Sequence, residues 1–122
     1  MSAFIVIYGI PFAISTSSSG SVITNLKRDL QNAISPKLGL SPEDMPVFLP
    51  ADIDQNNIGT NLVCRVSCPS GPEDLRDSMS RAVRAILTEF AKEYLPSCRN
   101  VVIVVSHLNN AVECLVKHML ML

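Results

Sequence analysis

Arg65 is the residue of this 122-residue sequence that most needs a chemical account. It sits in "NLVCRVSC" (61–68), an apolar run rich in β-formers that reads as a strand. A guanidinium placed mid-strand needs water or a partner. Alternation puts it on one face with Val63 and Ser67. Two roles suit it. It could line a cavity between subunits and attract a carboxylate ligand, or it could form a structural ion pair with an aspartate such as Asp52 or Asp54.

Other chemistry-bearing groups fall short of a motif. Cys64, Cys68, His107 and His118 are metal-ligand types, but no pair of them has zinc spacing. Asp52, Asp54 and Asn56 begin like a calcium loop. Asn57 then stands where the sharp turn needs glycine, and Val63 where the bidentate glutamate belongs. The stretch "STSSSGS" (15–21) precedes a helix and could cradle an anion, yet no lysine follows at phosphate-loop spacing. No metal and no cofactor is expected.

The cysteines do not read as a disulfide framework. Cys64 and Cys68 would share a strand face about 13 Å apart, too far to bridge, and Cys98 and Cys114 are isolated. Buried, reduced thiols of a cytoplasmic protein are the plain expectation. A net charge of −1 offers no basic field for nucleic acid or anionic lipid. No apolar run reaches the ~18 residues that span a bilayer. The opening "MSAFIVIYGIP" lacks the basic lead-in and cleavage site of a signal peptide, and Pro11 interrupts it. Residues 1–122 are expected to form a single domain around one core, since 48% of them are apolar.

The elements that must position these residues come in two similar halves. Residues 3–10, "AFIVIYGI", read as a strand; "VITNLKRDLQNAI" (22–34) has apolar residues at helical spacing and should end before Pro36. "MPVFLPADI" (45–53) reads as a second, irregular strand. The scheme then repeats with the strand 61–68 and a helix whose stripe is Leu75, Met79, Ala82, Val83, Ile86, Phe90 and Tyr94. Ser70 and Glu73 have capping-box spacing, and Asp77 and Arg81 suit an ion pair on its wet side. "VVIVV" (101–105) closes the second unit. The two βαβ repeats span about 2–53 and 60–107, and each should pair its strands in parallel. The expected fold is α/β (α+β): a four-stranded sheet with two helices on one face, in ferredoxin-like connectivity.

Such a sheet should be polar on its open face, yet "VVIVV" is apolar on both. An uncovered face of that composition exceeds what monomers tolerate, so a homo-oligomer is expected. The C-terminal apolar segment 110–122 could cap its own sheet or reach a neighbour.

An N-terminal strand, a duplicated βαβ unit and an oligomer built around sheets resemble the tautomerase superfamily, and within it the macrophage migration inhibitory factor branch. The likeness lies in "SAFIV", "LSPEDMPVFLPAD", "NLVCRVSCPSG" and "NVVIVVSHLNNA". It implies a trimer with a pocket between subunits. There, a free N-terminal proline moves protons next to the carbonyl of a small carbonyl or carboxylate ligand.

In this sequence Ser2 occupies the proline's place. Its primary amine could act as a base only if Met1 is removed. Leu40 matches the family's lysine, with Lys37 three residues earlier; Val102 and Val104 match its tyrosine and asparagine, and Ser70 its backbone contact. A pocket of that lining is apolar rather than catalytic. Two functions are therefore expected from the resemblance. One is an oligomer of lost or altered catalytic activity that binds a small ligand or a partner. The other is an active keto–enol tautomerase, an isomerase using the Ser2 amine or a displaced site around Arg65 or Tyr8. An ACT-type regulatory module shares the element order as a third class, but such modules usually accompany an enzyme.

Overall fold

Alternation along the first strand, β1 (Phe4–Tyr8), sets the plan of the molecule. Ile5 and Ile7 are buried, while Phe4, Val6 and Tyr8 point the other way. The computed structural model of the chain describes residues 3–11, 21–50, 61–69 and 73–108. After β1 come α1 (Ser21–Leu38), a 3-10 turn (Pro42–Asp44), β2 (Val47–Phe48), β3 (Asn61–Pro69), α2 (Glu73–Tyr94) and β4 (Asn100–Leu108).

The sheet order is β2-β1-β3-β4. Strands within each βαβ unit are parallel neighbours, and the units meet through the antiparallel pair β1–β3. The duplicated units and their parallel pairing match the expectation. The ferredoxin-like connectivity does not hold, because that arrangement inserts a strand of one unit between the strands of the other. Here β1 takes its own partner β2 on one edge and β3 on the other.

Both helices cover the same face. Ile23, Leu26, Leu30 and Ile34 of α1 and Met79, Val83, Leu87, Phe90 and Ala91 of α2 join one core with Ile5, Ile7, Val47, Leu62, Cys64, Val66 and Cys68. Val101, Ile103 and Val105 of β4 pack partly buried against it. Each fully buried Leu or Ile stabilises by roughly 1.5–3 kcal/mol. Leu87 and Ala91 widen the α2 stripe beyond the spaced positions, as a helix facing a sheet requires.

α1 runs past its expected end, with Pro36 inside it. Proline sits here in the last turn, where its fixed φ is already helical and only one intrahelical bond is lost. Gly39 stops the helix instead, at φ +69. Its N–H donates to Pro36 O (3.3 Å), and that of Leu40 to Ser35 O (3.0 Å). This is the paired C-terminal bonding that favours glycine at the left-handed position. Of the described part of the expected strand, residues 45–50, only Val47–Phe48 form β2. Pro46 and Pro50 flank it and have no N–H to give a ladder.

β1 ends at Gly9, whose φ is +101. A Cβ there would lie 2.1 Å from the Asn61 carbonyl oxygen, so the start of β3 crosses where only glycine fits. Polar ties fix the layers. Lys37 Nζ donates to Ser78 Oγ (2.6 Å) between the helices, and Arg84 Nη1 to Val101 O (2.9 Å) between α2 and β4. Gln31 Nε2 donates to Met45 O (3.0 Å), and Asn100 Nδ2 to Asn61 Oδ1 (2.9 Å) at the mouth of the β3–β4 pair. Among the described residues the ion pair that forms is Lys92–Glu89 at 3.5 Å, not Asp77–Arg81.

Candidate functional site

Register assembles the helix-free face in three cross-strand rows. The middle row runs Phe48, Val6, Arg65, Val104. Tyr8, Val63 and Val102 lie on one side of it, and Phe4, Ser67 and Ser106 on the other. Arg65 is thus ringed by neighbours that carry no charge. Tyr8 (43%), Phe48 (43%), Val102 (44%) and Val104 (38%) are exposed, which makes the face an open apolar surface. Phe4 and Phe48 meet edge to face at 6.2 Å and 71°.

Arg65 is exposed and has no hydrogen bond or ion pair among the described residues. Asp52 and Asp54, its alternative structural partners, lie outside the described residues, as do the calcium-like loop before Asn61 and "STSSSGS" apart from Ser21. Ser2, Ser70, His118, Cys114 and the segment 110–122 are outside them too. The structure therefore brings Arg65, Tyr8, Val102 and Val104 onto one face. Leu40 lies elsewhere, following Gly39 and packed partly buried against the core.

Cys64 and Cys68 are not reactive centres. Cys64 and Cys68 are free and buried on the helix side, and burial pushes the Cys64 thiol up to about 12. Burial also raises Cys68, with Arg76 opposing. Cys98 is half-buried, and its Sγ lies 3.5 Å from Asn100 O. Among the described residues, no group of three His, Cys, Asp or Glu could hold a metal ion.

A concavity lies between α1 and α2, a groove of about 520 Å³. Val22, Leu26, Ile86, Phe90 and Tyr94 form its apolar lining, with Asp29, Glu89 and Glu93 around them. Phe90 and Tyr94 stack tilted at 5.1 Å. Partial burial first, and the Glu93 carboxylate second, push the Tyr94 phenol upward. Spacing of Phe90 and Tyr94 four apart on the helix signals this pair, but the groove itself depends on how two helices pack.

The sequence matches no family model and no curated protein. Solved structures do match it. A native crystal structure of Ps01740 superposes with a TM-score of 0.66 at 12% identity, over 88% of this chain and 96% of that one. An F6 fused 4-OT wild-type asymmetric trimer gives 0.65 at 12% identity, over 92% and 98%. Macrophage migration inhibitory factor of Toxoplasma gondii gives 0.59 at 10% identity, over 87% and 90%. At these identities the likeness is one of fold. Two βαβ units joined through an antiparallel central pair, with both helices on one face, give this chain the fold of the tautomerase-superfamily structures.

Proposed function

We propose that this protein is a tautomerase-fold homotrimer that binds a small carbonyl or carboxylate ligand and lacks the family's proton-transfer chemistry. The observation that carries this reading is the helix-free face. It exposes Tyr8, Phe48, Val102 and Val104 around a single guanidinium, so it calls for cover by further copies. The fused 4-OT neighbours are trimers, which supports that number of copies. Val102 and Val104 are the positions that the resemblance gives to tyrosine and asparagine, and neither valine can donate or accept a proton. No helix among the described residues is long and apolar enough to cross a membrane, and the free buried thiols fit a place in the cytoplasm.

The test is an enol–keto assay with phenylpyruvate and hydroxyphenylpyruvate, run beside mass spectrometry of the N-terminus. No turnover above buffer is expected, with Met1 on or off. Turnover that appears only in Met1-free protein and is abolished by acetylating the Ser2 amine would establish the keto–enol tautomerase instead.

A further inference from the structure

We infer that Arg65 makes the interior enclosed by the sheet faces a binding site for one small polyvalent anion shared between subunits, a di- or tricarboxylate or a phosphate. This rests on the oligomer proposed above and adds to it the site's chemistry and stoichiometry.

Arg65 holds an inner position of the middle row, with Val6 and Val104 as its direct cross-strand partners and Val63 and Ser67 two residues away on its own strand. The diagonal neighbours Tyr8, Phe4, Val102 and Ser106 add hydroxyls and apolar groups but no carboxylate. Among the described residues nothing on this face can neutralise the guanidinium. Covering the face with copies removes the water that now solvates it, and an unpaired buried charge is not tolerated. Symmetry then repeats the problem once per subunit. Packed sheet faces lie about 10 Å apart, and an extended arginine reaches well over half that distance, so guanidiniums rooted at the centres of facing sheets converge. Converging like charges need a counter-charge that touches several of them at once. A polyvalent anion of oxygen acceptors matches their planar forks.

The experiment uses the full chain and its R65M and R65K variants. Thermal unfolding is followed in citrate, inorganic phosphate and pyrophosphate, against sodium chloride at equal ionic strength. Titration calorimetry with the same anions and sedimentation velocity accompany it. Methionine fills the space without charge, and lysine keeps charge without the fork. We expect a saturable rise in Tm for the wild type with the carboxylate or the phosphate series, which identifies the ligand class. Binding should fall short of one anion per chain. Affinity should drop at least about ten-fold in R65M and by less in R65K. A wild-type oligomer whose Tm ignores these anions, or an equal response in R65M, overturns the inference while leaving the oligomer intact. Saturation at one anion per chain overturns the shared site. A wild-type monomer contradicts the oligomer itself, and the inference falls with it.

Discussion

Arg65 on β3 stands directly opposite Val104 on β4, a guanidinium beside an aliphatic side chain that is 38% exposed. Val102, one row away, faces Val63. The two valines share a strand face and an exposure, yet they differ in what a charge placed there would meet.

Charge substitutions should therefore separate them. V102K adds an ammonium to a face already carrying Arg65, at a cost of several kcal/mol once buried, and should dissociate the assembly while the chain stays folded. V104E places a carboxylate where it can pair with Arg65, worth about 0.2–1 kcal/mol as a cross-strand pair, and should keep the assembly. Sedimentation velocity with far-UV circular dichroism reads both. Equal behaviour of the two variants would refute the register-based account of this face.

Glycine substitutions test the close approach at the end of β1. G9A combines φ +101 with a Cβ 2.1 Å from the Asn61 carbonyl, and should cost about 2 kcal/mol or more. G39A has a left-handed φ of +69 but nothing within 4 Å, and should cost only about 1 kcal/mol. Urea unfolding of the two variants gives the order directly.

The Cys64 thiol links stability to alkaline pH. Its ordinary value of 9.0 is raised by burial to about 12 in the folded chain. Below pH 9 the thiol is protonated in both states, and its contribution is fully present. Between pH 9 and about 12 only the unfolded chain ionises, so stability should fall by about 1.4 kcal/mol per pH unit from this group. Urea melts from pH 8 to 10.5 should show the decline, and C64A should lessen it, the buried Cys68 contributing a further decline of the same sign. In native protein, iodoacetamide should modify the half-buried Cys98 and leave Cys64 intact.

The Ser35 hydroxyl is fully buried and has no hydrogen-bond partner among the described residues. Removing an unsatisfied buried polar group is neutral or favourable, so S35A should leave stability unchanged or raise it by up to about 1 kcal/mol in urea melts.

Period-two patterning made much of this legible in the sequence. The two-faced "VVIVV" strand and the grouping of Arg65 with Val63 and Ser67 follow from local alternation, and the parallel units from the helix that joins each strand pair. What could not be read was register. Nothing local to β3 says that Val6 and Val104 flank Arg65, because that depends on pairing between distant segments. The end of α1 was obscured for a different reason. Pro36 weighs against a helix only on average, whereas Gly39 supplies a specific bonded stop. The irregularity that the prolines signal in 45–53 appears in the described residues as a ladder confined to Val47–Phe48, between Pro46 and Pro50. The groove beside Phe90 and Tyr94 arises from helix packing, which no single helix encodes.

Sedimentation of the wild-type chain from nanomolar to micromolar concentration, paired with thermal unfolding at each concentration, tests most directly whether sibling subunits cover the open sheet face. A trimer whose Tm rises with protein concentration is expected. A monomer at every concentration, unfolding cooperatively at one fixed Tm, would contradict it.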